Sequence, residues 1–190
     1  MKLVVGLGNP GRQYEQTRHN IGWDIVTEVV RKHCTSRTRI QFEGELADLL
    51  IDEHRVLVLL PHTFMNASGR SVRKACDYYD ISPSDLLVVC DDFQLPLSQL
   101  RWRAAGSSGG QKGLEDIIRH IGTEAIPRLR FGIGSPPPEW EAADYVLGRF
   151  LTEEKDEVHQ AVQVAAGAIV DWVRYDIDYC MNHYNAPSSG

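Results

Sequence analysis

The sequence predicts an α/β fold: a single three-layer domain in which a twisted, mostly parallel or mixed sheet is flanked by helices. Three observations carry this prediction. Short, fully apolar runs such as KLVVGL (2–7) and LLVVC (86–90) read as strands buried on both faces. Longer segments between such runs repeat their apolar residues every three or four positions, as helices with one buried side do. The 190 residues are 43% hydrophobic and 24% charged, enough apolar material for one sizeable core. One domain over residues 1–184 is expected, with 185–190 as a flexible tail.

Taken in order, Ile21, Ile25, Val26, Val29 and Val30 place a helix just after the first strand. ELADLLIDEHRVLVLLP (45–61) holds two apolar runs around a polar DEH turn, hence a hairpin or adjacent strands. A helix follows from about Asn66 to Tyr79 and stops before ISPSD. LLVVC is capped by Asp91 and Asp92, and QLRWR (99–103) alternates as a half-exposed strand should. The loop AAGSSGGQKG leads into Leu114, Ile117, Ile118 and Ile121, one face of another helix. RLRFGIG (128–134) reads as a strand, and SPPPEW (135–140) as a break. The segment from Glu153 to Tyr175 is a long helix that starts acidic and ends near Arg174, as the helix dipole favours. Tyr78, Tyr79, Trp172 and Tyr175 are expected to pack in the core or between helices.

Several function classes are disfavoured. The four cysteines, at 34, 76, 90 and 180, form no C-x-x-C pair, so neither a zinc site nor a disulfide framework is expected. No apolar run at the N-terminus approaches the ~18 residues of a membrane span, and no signal-peptide pattern is present; a cytoplasmic location away from membranes is expected. A net charge of −6 speaks against indiscriminate nucleic-acid binding but leaves room for a local basic patch. Arg101, Arg103, Lys112, Arg119, Arg128 and Arg130 form such a cluster, although an ordinary solvated face has the same composition.

The stretch GLGNPGRQYEQTRHN (6–20) fits the dinucleotide pattern G-x-G-x-x-G in its first six letters. Its context does not fit. Pro10 stiffens the loop where a helix should open, and the ribose-binding acidic position falls near Arg31-Lys32-His33. A second reading follows from the rule that ligands of open α/β sheets sit beyond the carboxyl ends of the strands. If the strands run parallel, Asn9, Asn66 and Asp91 meet at one edge, and His19 is close enough along the chain to fold over it. A histidine beside a carboxylate is a general-base arrangement, and carboxamides can hold a carbonyl or a developing oxyanion. With no G-x-S-x-G elbow in the chain, water is the simplest nucleophile.

GLGNPGRQYEQTRHNIGW, PHTFMNASG, the DDFQLP turn and GSSGGQKGLEDII, in this order, resemble the bacterial peptidyl-tRNA hydrolases from Met1 to about Tyr184. The resemblance implies a monomeric, cofactor-free and metal-free enzyme. Its reaction would be cleavage of the ester between a peptide and the 3′-terminal ribose of tRNA. His19 would activate water, Asp91 would orient His19, and Asn9 would contact the peptide next to the ester. Tyr14, Phe64 and Asn66 would line the groove for the peptide and the terminal adenosine. Arg101, Arg103 and Arg130 would neutralise phosphates of the acceptor arm, helped by the helix that opens after Gly110.

Two departures stand out. The family's usual Gly-Gly-His-Asn-Gly is here Gly109-Gly110-Gln111-Lys112-Gly113, so a cation replaces a neutral donor and acceptor at Lys112. Gln94 stands where an acidic residue is common. Lys112 would grip a phosphate or a carbonyl oxygen in an active variant. The alternative is a catalytically weakened RNA-binding relative, like the chloroplast splicing-factor branch of the family.

Overall fold

The structure, a computed structural model, describes residues 1–34 and 37–185. Among these residues seven strands form one sheet: β1 (Lys2–Gly6), β2 (Arg39–Gln41), β3 (Gly44–Ile51), β4 (His54–Pro61), β5 (Leu86–Asp92), β6 (Leu100–Arg103) and β7 (Arg128–Gly132). Their order is β2-β3-β4-β1-β5-β7-β6. The central strands β4, β1, β5 and β7 are parallel; β2, β3 and β6 join antiparallel at the flanks. Helices α1 (Ile21–His33), α2 (Ser68–Tyr79), α3 (Lys112–Ile121), α4 (Ala142–Leu147), α5 (Lys155–Arg174) and α6 (Ile177–Tyr184) complete the fold. The expected mixed, mostly parallel α/β architecture is what forms.

Strands β1 and β5 are apolar throughout their inner residues because both faces are covered. Val4, Leu87 and Val89 pack toward α1 and α5, whereas Leu3, Val5, Leu86 and Val88 pack toward α2 and α3. Parallel direction then sets the site: β4, β1, β5 and β7 all end at the same sheet edge, and their exit loops gather there.

One close approach fixes α1. A Cβ on Gly22 would lie 2.5 Å from the Val89 carbonyl oxygen and 2.6 Å from that of Leu7, so the helix backbone rests directly on the strands. Opposite, a Cβ on Gly6 would meet the Gly22 carbonyl oxygen at 2.6 Å. His19 sits in the 3-10 turn immediately ahead of this helix, so the contact also sets the height of His19 above the sheet edge.

Elements without a signature in the sequence are β2, α4 and α6. The β2–β3 turn carries Phe42 and Glu43 at φ 55° and 57°, a conformation normally announced by Asn-Gly. Packing offsets the strain: the Phe42 ring leans on Tyr78 and Tyr79, and Glu43 pairs with Arg70 and Lys74 of α2. Short α6 leads the chain back along the open edge of the sheet. There Asn185 accepts from the Trp102 backbone N–H (2.6 Å) and donates to its carbonyl (2.9 Å), blunting the edge strand as a paired residue would. The expected flexible tail therefore begins with an anchored residue; 186–190 lie outside the described residues.

Trp172 is buried as expected, with the Lys2 ammonium 4.0 Å above its ring. Tyr78 and Tyr175 are not core residues: both are more than half exposed and lean on neighbouring rings, Tyr78 on Phe42 and Tyr175 on Tyr179. Among the described residues, no helix is long and apolar enough to cross a membrane.

Candidate active site

The loop after β1 and the turn before α1 are bolted together by one side chain. Asn20 accepts from the Asn9 backbone N–H at 2.9 Å and donates back to the Asn9 carbonyl at 3.0 Å. Asn9 in turn accepts at Oδ1 from the Met65 backbone N–H at 2.7 Å, which ties in the loop after β4. That bond fixes the amide, so the Asn9 NH2 is turned to the cavity that Asn9 lines.

His19 and Asp91 meet as the sequence suggested. His19 Nδ1 lies 2.8 Å from Asp91 Oδ2, and the Asp91 side chain is only 3% exposed at the end of β5. An ionised carboxylate only accepts, so Nδ1 carries the proton and Nε2 is free to accept one. The remaining Asp91 oxygen, Oδ1, accepts from Gln111 Nε2 at 3.1 Å. Next to His19, buried Arg18 is held between the rings of Tyr145 and Phe150 and donates to the Ile133 carbonyl (3.1 Å) and to Glu154 (2.7 Å). The histidine is thus carried on a turn clamped from both sides.

A cavity of about 660 Å³ opens over this edge. Its floor is polar, with Asn9, His19 and Asp91; Asn66 joins them at the rim. Its apolar lining comes from two elements: Phe64 and Met65 of the turn after β4, and Ala142, Ala143, Val146 and Leu147 of α4. Asp92 and Phe93 at the end of β5, Gly109, Gly110, Gln111 and Lys112 around the start of α3, and Arg130 of β7 complete the lining. Tyr14 lies outside this lining and stands edge-on behind Phe64, ring centroids 6.5 Å apart.

The basic cluster divides into distinct jobs. Arg128 is buried and donates to the carbonyls of Ile126, Gly106, Ser107 and Glu124, so it shapes the glycine loop. Arg119 pairs with Asp116, and Arg130 lies 3.1 Å from the Asp92 carboxylate. Arg101 and Arg103 make no ion pair among the described residues. They sit opposite Arg130 and Arg128 across the β6–β7 pair and so share a face with them.

GLGNPG does not open a helix: Gly11 has φ 113° and α1 begins only at Ile21. Cys90 is fully buried, and burial pushes its thiol up to about 12, which leaves it un-ionised and without nucleophilic character. His62 rests against Trp23, away from the cavity lining. Among the described residues, no three His, Cys, Asp or Glu side chains converge in a way that could hold a metal.

The family model for peptidyl-tRNA hydrolase matches residues 3–189. The chain belongs to the peptidyl-tRNA hydrolase family. It is 52% identical over 188 residues to the peptidyl-tRNA hydrolase of Rhodopirellula baltica, covering 99% of both chains. Against that of Geobacillus kaustophilus it is 44% identical over 185 residues, 97% of this chain and 100% of the relative. The crystal structure of peptidyl-tRNA hydrolase from Acinetobacter baumannii superposes with a TM-score of 0.90 at 35% identity, over 98% of this chain and 95% of that one.

Membership gives the departure at Lys112 a structural setting. Lys112 begins α3 at the cavity lip, two-thirds exposed and paired at 3.1 Å with Glu115, itself more than half exposed. Gln111 is buried directly under the reacting edge. Sequence reasoning overlooked Gln111, Asn20 and Arg18, since an amide or a guanidinium inside a loop has no periodic signal. For Asn20 and Arg18 a pointer existed in their place beside His19.

Proposed function

We propose that this chain hydrolyses peptidyl-tRNA with a water molecule activated by His19. The observation that carries the reading is the 2.8 Å contact of His19 with the buried Asp91 carboxylate at the floor of a cavity lined by carboxamides. Nε2 of His19 takes a proton from water as the water oxygen attacks the ester carbonyl carbon. Asp91 stabilises the imidazolium so formed. The Asn9 NH2, and the Asn66 amide at the rim, are placed to donate to the carbonyl oxygen as it becomes an oxyanion. Collapse of the tetrahedral intermediate returns the proton to the departing ribose oxygen, releasing peptide acid and free tRNA.

In this reading the apolar lining takes the peptide. Phe64, supported by Tyr14, offers a ring to the terminal adenosine, a contact worth about 1–3 kcal/mol per stacked base. Arg101, Arg103 and Arg130 meet acceptor-arm phosphates together with the N-terminus of α3 at Gly110 and Lys112. The reading takes the enzyme to be a one-domain monomer acting in the cytoplasm. The test compares N-acetyl-aminoacyl-tRNA with unblocked aminoacyl-tRNA. Rapid release of the blocked amino acid alone is expected, whereas tight RNA binding without release would point to a binding protein instead.

Two further outcomes follow from the surface. Each phosphate neutralised on single strands or duplex contributes about 0.7–0.9 to the slope of log affinity against log salt, so Arg101→Ala with Arg103→Ala should flatten it by about 1.5. An unchanged slope in filter-binding titrations would move the tRNA surface elsewhere. Lys112→Asn should alter turnover by less than about tenfold, or 1.4 kcal/mol of barrier, because the lysine is solvated and already paired. A gain of several orders would mean that the lysine cripples the site.

A further inference from the structure

We propose that Gln111 is the positioning residue of the His19–Asp91 pair, an untitratable clamp that holds the Asp91 carboxylate in the plane His19 requires. The inference rests on the reading of His19 as the base. Gln111 caps α3 with its Oε1, which accepts from the Leu114 backbone N–H at 2.7 Å. The other end of the same amide donates to Asp91 Oδ1 at 3.1 Å. The amide can stand only one way round: turned over, it would set NH2 against the Leu114 N–H and a carbonyl against the carboxylate.

Both Asp91 oxygens are thereby committed, Oδ2 to His19 and Oδ1 to Gln111, and both partners are largely buried. The carboxylate cannot rotate away from Nδ1 without stranding a buried charge. The same amide ties the first turn of α3 to the end of β5, so the glycine loop and the base are located by one side chain.

The surrounding charges leave this task to Gln111. On β5 the next carboxylate, Asp92, is committed to Arg130 of β7 and to the Gln94 backbone N–H. Arg18, beside His19, is turned to Glu154 and Ile133. On α3, Lys112 faces solvent and Glu115. The Phe64–Asn66 turn and α4 bring no charged side chain to the cavity lining.

The test measures kcat, KM and their pH dependence on N-acetyl-aminoacyl-tRNA for the full-length Gln111→Glu, Gln111→His and His19→Ala proteins, with melting temperatures as a check on folding. In Gln111→Glu the side chain keeps the oxygen that caps Leu114 but can donate to Asp91 only while protonated, a state its carboxylate neighbour favours. As pH rises it ionises, and the donor becomes a second negative charge. Gln111→Glu should therefore show an alkaline limb absent from the wild type, with kcat falling at least about tenfold while KM stays within about threefold. In Gln111→His, a neutral imidazole can accept from Leu114 and donate to Asp91, so the wild-type plateau should return. A Gln111→Glu profile that overlays the wild type, with His19→Ala inactive, overturns the positioning role. Turnover persisting in His19→Ala would instead remove the base on which it rests.

Discussion

His19→Ala should retain its fold and its affinity for tRNA while turning over N-acetyl-aminoacyl-tRNA roughly 10²–10⁴-fold more slowly, the range over which a positioned general base acts. Single-turnover assays over a range of pH would measure it, and residual activity within tenfold of wild type would rule His19 out as the base. Asp91→Asn should cost about as much for a different reason. The introduced amide would receive the Gln111 NH2 on its carbonyl oxygen, which turns its own NH2 toward His19 Nδ1. Nδ1 would then have to accept, placing the ring proton on Nε2 and leaving no lone pair for water. In a comparable triad the equivalent change lowers kcat about 10⁴-fold with little disturbance of geometry. Donor and acceptor chemistry thus separates the two variants: one removes the base, the other inverts its tautomer.

Gly22→Ala is expected to be the most damaging small change in the scaffold. Alanine in a helix interior ordinarily gains up to about 1 kcal/mol over glycine. Here the added methyl would lie 2.5 Å from the Val89 carbonyl oxygen, 2.6 Å from that of Leu7 and 2.7 Å from the Leu7 nitrogen, all backbone atoms that cannot swing aside. Relief requires α1 to lift off β1 and β5, exposing contacts of Ile21, Ile25 and Val26. A net loss of about 3 kcal/mol, or a fall of roughly 6–12 °C in Tm for a chain of this size, is expected. Urea or thermal unfolding would decide it, and a Tm equal to or above wild type would show that the helix has room to spare. Turnover should fall as well, since the turn bearing His19 moves with the helix.

How much of this was readable from residue order depends on whether a signal is local. The buried strands β1 and β5 and helices α1, α2, α3 and α5 repeat their apolar residues over enough positions for the period to show. Strand β2 is three residues long and its turn is Phe42-Glu43, which no turn rule selects; only the docking of both side chains on α2 makes it tenable. Helix α4 spans six residues after a proline-rich break, too few for a period, yet it supplies four apolar residues of the cavity lining. The basic cluster read as one patch separates into Arg128 bound to loop carbonyls, Arg130 near Asp92, and the two arginines of β6 that have no ion partner among the described residues.

Chemistry-bearing residues followed the same division. Asn9, His19, Asn66 and Asp91 could be nominated from the chain alone, because each lies next to the end of a strand or the start of a helix, and the end of a parallel strand is where an open sheet leaves space. Their convergence was not in the order of letters. His19 and Asp91 are 72 positions apart, and their 2.8 Å contact exists because β1 and β5 pair in parallel and Gly22 lets α1 settle onto them. Gln111 marks the limit most plainly. An amide carries no charge and no periodicity, and its importance comes entirely from which two groups long-range packing sets at its ends.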